Sequence, residues 1–213
     1  MLRVLLADDK PLITAGIRTV LEATGDIEVV ATATDGGAAV EAATRHRPDV
    51  ALIDINMPVL DGLSALDELR RILPDLPTVV LTSFGTEPNV LRALQHGAAG
   101  FVLKHCTPAE LVTAVHAAHR GDAYLSPEVT RLVLGLVTPP SGRRGEAAAR
   151  LAALSQREAE IAALVAEGLP NAEIGRRVHL SETTIKTYVS RLLSTLDCAN
   201  RVEIALLVRD AQD

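Results

Sequence analysis

The chain has 213 residues, 48% hydrophobic and 23% charged, with a formal net charge of −6, which suits two compact units with real apolar cores. Aromatics are only 2% with no Trp, so those cores must be built from Ala, Val, Leu and Ile. The overall charge balance does not itself point to nucleic-acid binding, and no apolar run reaches the roughly 18 residues of a membrane span.

The start, MLRVLLADD, meets two acids too soon for a secretory signal. From there to about residue 120, apolar or β-branched runs at 3–8, 27–33, 49–54, 78–82 and 100–103 alternate with helical patterns near 11–23, 36–46, 61–72, 86–96 and 107–119. Runs this apolar predict strands buried on both faces, hence a parallel sheet covered by helices. Thr107-Pro108-Ala109-Glu110 has the form of a capping box with Pro at the first helical position, and Gly97 suits a left-handed helix cap. The expected organisation is a doubly wound domain over 1–120, a linker with one possible helix over 121–147, and an all-α domain over 148–213. Within the linker SPEVTRLVLGLV has the helical pattern, and TPPSGRRGE (138–146) has the composition of flexible chain. Cys106 and Cys198 suggest no disulfide framework, which favours a reducing cytoplasm.

In a doubly wound sheet, ligands bind beyond the carboxyl ends of the strands. Asp8 and Asp9 end the first strand, Asp54 the third and Thr82 the fourth, and Lys104 follows the fifth. Three carboxylates on one rim repel one another unless a hard divalent cation joins them. Mg²⁺ fits such an oxygen cage and leaves room for a phosphate oxygen. Lys104 adds a positive charge and Thr82 a hydroxyl, parts suited to phosphoryl transfer onto a carboxylate. Simple helix capping by these acids would not call for a Lys and a Thr on the same rim.

LLADD, LIDINMPVLDG, VVLTS and GAAGFVLK resemble the receiver domain of two-component response regulators over essentially all of residues 1–120. The resemblance implies a flavodoxin-like, five-stranded sheet of order 2-1-3-4-5. It implies Asp54 as phosphoacceptor and Asp8, Asp9, Asp54 and the Asn56 carbonyl as Mg²⁺ ligands. Thr82 and Lys104 would bind the phosphoryl group, and Phe101 would be the aromatic that turns inward with it. Lys10 and His105 depart from the family pattern, where His and Asp respectively are common.

Residues 148–210 carry only helical periods. Ser155-Gln156-Arg157-Glu158 is a capping box, Gly168 and Leu169-Pro170 end the helix it opens, and a short helix, AEIGRRV, follows. A turn at His179-Leu180-Ser181 leads to a longer helix from Glu182 to about Leu196, completing a helix-turn-helix pattern. On that last helix Ile185, Val189, Leu192 and Leu196 share one face, and Thr183, Lys186, Thr187, Ser190 and Ser194 the other, with Arg191 at its flank. From Arg176 to Arg191, four basic residues stand against one acid. Small hydroxyls beside cations suit a helix in the major groove.

The stretch from Leu154 to Leu207 resembles the LuxR-type DNA-binding domain of the NarL/FixJ regulators. That resemblance implies base contacts by Lys186, Thr187 and Ser190, with Thr183 on the same side and Thr184 and Arg191 toward the backbone. It also implies a dimer contact on the final helix, at Val202, Leu206 and Leu207. Tyr188 and Gly175 stand where His and Ala are common, and Gly175 is expected to loosen its helix.

Together these readings predict a transcriptional regulator that takes a phosphoryl group from a histidine kinase, dimerises and binds double-stranded DNA at two half-sites. It is expected to be no enzyme beyond its own phosphorylation and dephosphorylation. An aspartate-nucleophile phosphohydrolase of the haloacid-dehalogenase type would need an acid where Asn56 stands. A regulator controlled by ligand or protein contact, without phosphorylation, is the other alternative. His116 and His119, three apart on a helix end, are read as solvent-facing rather than metal-binding.

Overall fold

The computed structural model describes residues 1–83, 87–126, 129–130 and 143–212. Two compact units are present, Met1–His119 with Tyr124–Leu134, and Arg120–Ala123 with Gly135–Asp213.

In the first unit, strands β1 (Leu2–Ala7), β2 (Ile27–Ala33), β3 (Val50–Asp54), β4 (Thr78–Thr82) and β5 (Gly100–Leu103) alternate with helices α1 (Pro11–Glu22), α2 (Gly36–His46), α3 (Gly62–Ile72), α4 (Glu87–Gln95) and α5 (Pro108–Arg120). All strand pairings are parallel. Side chains alternate between the sheet faces, as strand geometry requires. Val4, Leu6, Leu52, Val79, Leu81 and Val102 pack with Leu21 of α1 and Leu111, Ala114, Val115 and Ala118 of α5. Leu5, Ala7, Ala51 and Ile53 pack on the other side with Ala39 and Ala43 of α2 and Leu69 of α3. The small side chains of α2 let that helix lie close to the sheet.

One strand exceeds the expected five. β6 (Tyr124–Leu125) pairs with β5, giving the order β2-β1-β3-β4-β5-β6. Two residues are too few to establish a period of two. The helix expected over SPEVTRLVLGLV falls outside the described residues except for Ser126, which is not helical, and Val129 and Thr130, which are.

The second unit contains α6 (Arg143–Leu151), α7 (Gln156–Ala166), α8 (Asn171–Val178), α9 (Glu182–Thr195) and α10 (Arg201–Gln212). Residues 143–146, expected as linker, are therefore helical. The Ser155–Glu158 capping box opens α7, and the Ser181 side chain caps α9 by accepting from the Thr184 amide. Ile161, Val165, Ile174, Val178, Ile185, Val189, Leu192 and Ile204 form the core among these helices. Among the described residues, no helix is long and apolar enough to cross a membrane.

Candidate functional site

β1 has β2 and β3 as its two neighbours, so the chain reverses its winding at the carboxyl end of β1, where a crevice opens. Asp8, Asp9 and Asp54 meet there, each with a carboxylate oxygen within 4.8 Å of the others. The side chains of Asp8 and Asp54 are almost wholly buried, and Lys104 Nζ lies 2.6 Å from Asp8 Oδ2 and 2.7 Å from Asp54 Oδ2. Asp8 Oδ1 accepts from the Lys10 amide at 2.9 Å. Asp35 and Asp61, by contrast, are helix caps, accepting from the amides of Ala38 and Ser64. Asp8 and Asp54 are thus distinguished from the capping acids by their partner, a buried lysine.

One lysine facing three carboxylates leaves the rim short of positive charge. Burial pushes the Asp54 carboxyl above its ordinary value, against the pull of Lys104 and of the Asn56 amide. Burial alone would lower Lys104, but the bonds and charges of Asp54 and Asp8 outweigh it and hold the ammonium above its ordinary value. Asp9 Oδ1 and Asp54 Oδ1 are buried without a hydrogen-bond partner. Buried, unpartnered carboxylate oxygens are costly, and an all-oxygen set of this kind fits a hard divalent cation.

The other rim residues take definite places. Thr82 is fully buried at the end of β4, and its carbonyl accepts from the Lys104 amide at 2.8 Å. Phe101 is fully buried in β5. The loop after β3 is drawn in by Gly62, whose amide donates to the Ile55 carbonyl at 2.9 Å. A Cβ on Gly62 would meet the Asp54 carbonyl oxygen at 1.9 Å, so glycine is required there. His116 pairs with Asp26 at 3.3 Å. Among the described residues the Asp8–Asp9–Asp54 group is the one cluster of metal-ligating type.

In the second unit, α9 buries Ile185, Val189 and Leu192 and exposes Thr183, Lys186, Thr187, Ser190 and Arg191. Thr184 is tied into the start of the helix, its hydroxyl 2.7 Å from that of Ser181. Arg176 pairs with Glu173, and Arg177 with Glu167 at 2.8 Å. The cationic excess read from the sequence is therefore smaller at the surface, and Lys186 and Arg191 bring it to the exposed face of α9. Sequence reasoning also missed a contact within α9: the Arg191 guanidinium carbon lies 5.9 Å from the centre of the Tyr188 ring. Their spacing of three residues was the available signal. On α10, Leu207 packs against the unit's own core, while Val202 and Leu206 are half-buried.

A close approach explains Gly175. The Leu180 amide donates to the Gly175 carbonyl at 2.9 Å, and a Cβ on Gly175 would stand 2.6 Å from the Leu180 carbonyl oxygen. The absence of a side chain at Gly175 thus admits the close turn between α8 and α9.

An acid-and-lysine rim on a doubly wound sheet, in a chain that also holds a helix-turn-helix, defines a receiver-linked regulator. Residues 4–116 match the response regulator receiver domain, and residues 152–208 the luxR family of bacterial regulatory proteins. The chain is 37% identical to the transcriptional regulatory protein LiaR of Bacillus subtilis over 97% of its own length and 96% of LiaR's. It is 35% identical to the nitrate/nitrite response regulator protein NarL of Escherichia coli, with 96% and 94% covered. The crystal structure of the response regulator ChrA, from a heme-sensing two-component system, aligns with a TM-score of 0.55 at 33% identity, covering 99% of this chain and 98% of that one. The chain belongs to the NarL/FixJ family of response regulators. It is a DNA-binding transcriptional regulator of the phosphorylation-driven kind, and proteins of this family act as phosphoacceptors rather than as classical enzymes.

Proposed function

We propose that Asp54 is the phosphoacceptor, that a partner histidine kinase is the donor, and that this chain acts in the cytoplasm. The observation that carries this reading is the buried Lys104 ammonium between Asp54 and Asp8, beside carboxylate oxygens that lack partners. An Asp54 oxygen attacks the phosphorus of a phosphohistidine. The new P–O bond forms as the P–N bond breaks, and the histidine nitrogen takes up a proton. Lys104 then moves from carboxylate to phosphoryl oxygen, offsetting the roughly −1.5 to −2 charges that arrive. Thr82 donates its hydroxyl to another phosphoryl oxygen, and Phe101 repacks with it. Asp8, Asp9, Asp54 and the Asn56 carbonyl would hold Mg²⁺, which when bound supplies charge neutralisation for the transferring group.

On the DNA side, Lys186, Thr187 and Ser190 read base edges, with Thr183 on the same side, while Thr184 and Arg191 address the phosphates. Phosphorylation favours a homodimer, with Val202, Leu206 and Leu207 at the contact. Two recognition helices then meet half-sites about one turn of DNA apart.

Intact mass after incubation with acetyl phosphate and Mg²⁺ tests the central step. A single phosphoryl adduct on the wild type and none on Asp54→Asn is expected. No adduct on the wild type, with the donor active on another receiver, would favour control by ligand or protein contact instead.

A further inference from the structure

We infer that Tyr188 is a positioning residue for DNA binding, holding the Arg191 guanidinium at the edge of the exposed face of α9. This inference rests on the reading of α9 as the DNA-contacting helix.

The two side chains lie one turn apart on α9, and the Arg191 guanidinium stands over the Tyr188 ring, 5.9 Å from its centre. The ring itself is anchored: Tyr188 is half-buried and packs against the core of the second unit. Arg191 is exposed, so without a support its long side chain would sample many rotamers, and DNA would have to order it on binding. A fixed aromatic face under the guanidinium removes part of that cost in advance. A planar cation held over an aromatic ring still has N–H edges available for phosphate oxygens.

The surroundings single out Arg191. The ion pairs to Glu173 and Glu167 occupy Arg176 and Arg177, and Arg191 forms neither of them. Arg191 also acts electrostatically on Glu158, whose carboxyl is held below its ordinary value mainly by the Ser155 hydroxyl and amide, with Arg191 a smaller contributor. Glu158 is already bound in the capping box with Ser155. The ring of Tyr188 is thus the contact that fixes Arg191 along its own helix. A ring that served only as core filler would leave the behaviour of Arg191 unaffected.

The test is binding of a labelled duplex of random sequence by the full chain, treated with acetyl phosphate and Mg²⁺, across a salt series. Arg191→Ala should flatten the dependence of log affinity on log salt by about 0.9, the loss of one phosphate contact. Tyr188→Leu, which keeps apolar packing, should weaken binding about two- to five-fold and flatten the slope in the same sense. Tyr188→Phe should bind as the wild type does. The double variant should bind no more weakly than Arg191→Ala alone, because Tyr188 acts through Arg191. Losses that multiply in the double variant, or wild-type affinity in Tyr188→Leu, would overturn the inference. Arg191→Lys gives a second check that leaves the core untouched: it keeps the charge but not the planar guanidinium, and wild-type binding by it would also overturn the inference. Failure of the wild type to bind any duplex would instead remove the DNA-contacting role of α9, and this inference with it.

Discussion

Lys104 Nζ lies 2.7 Å from Asp54 Oδ2 at the carboxyl edge of the sheet, with both side chains almost wholly buried. Removing one member of such a pair leaves the other charge buried and uncompensated, at a cost of about 3–5 kcal/mol. Here the remaining group would be three carboxylates with no cation among them. Lys104→Met should therefore lower the urea midpoint of the receiver unit in chelator-treated protein. A divalent ion replaces the missing charge, so Mg²⁺ should recover part of the loss. In the wild type, Mg²⁺ at about 100 times its dissociation constant should add about 2.7 kcal/mol. Asp9→Asn, which removes one of the partnerless carboxylates, should lose most of that gain. A Lys104→Met protein as stable as the wild type, with and without Mg²⁺, would contradict the buried pairing.

Gly175 offers a prediction whose sign is set by two competing effects. Alanine is better than glycine inside a helix by about 1 kcal/mol. The added Cβ, however, would stand 2.6 Å from the Leu180 carbonyl oxygen, which is backbone at the tight turn. The turn must open to relieve that contact, disturbing the Leu180-to-Gly175 hydrogen bond. Gly175→Ala should thus destabilise the second unit by a net of about 1–2 kcal/mol, seen as a lower thermal midpoint. A raised midpoint would mean that helix propensity outweighs the turn.

The elements that could be read in advance are those whose own residues encode them. Val4, Leu6, Leu52, Val79 and Leu81 lie on one sheet face and Leu5, Ala7, Ala51 and Ile53 on the other, so their strands appear as unbroken apolar runs. Asp8, Asp9 and Asp54 were legible because strand ends are places where parallel sheets bring distant residues together. Tyr124–Leu125 was not, because two residues carry no period and pair only through the edge of β5. The start of α6 follows Pro139, Pro140 and Gly142, and reads as linker. Part of what fixes that helix is distant in sequence, since Arg150 reaches the carbonyls at the end of α9. The pairing of Arg177 with Glu167 spans ten residues and a turn, so the charge excess read along the chain overstated the cations on display.

Arg150 carries that distant support. Its guanidinium donates to the Leu196 carbonyl and, at 3.2 Å, to the Asp197 carbonyl, where the recognition helix ends. Terminal carbonyls of a helix lack intrahelical partners and carry its negative dipole end, and Asp197 has a left-handed backbone, φ 48°. A cation from another helix satisfies both demands. Arg150→Met keeps the apolar stem and removes the donors, and should cost about 1.5–3 kcal/mol, the range for hydrogen bonds to a charged group. Arg150→Lys should recover part of this. Hydrogen exchange should locate the loss at the amides of the last turn of α9. Unchanged stability in Arg150→Met would leave the cap without energetic weight.

Cys198 lies in the same corner and gives the second unit a defined alkaline response. Burial pushes its thiol up to about 11, against a smaller opposing influence of the Arg150 cation. In the unfolded chain the thiol should titrate near its unperturbed value of about 8.5. Between those two values the unfolded chain has released its proton while the folded one still holds it, so stability must fall as pH rises through that window. The decline is about 1.4 kcal/mol per pH unit, up to about 3 kcal/mol in all. Urea unfolding of the wild type and Cys198→Ala at neutral pH and at about pH 10 isolates this contribution, since other groups titrate alike in both proteins. The wild type should lose the greater stability on going to alkaline pH, and the gap between the two proteins should shift in favour of Cys198→Ala. Parallel pH profiles would mean that the thiol ionises as readily in the folded unit as in the unfolded chain.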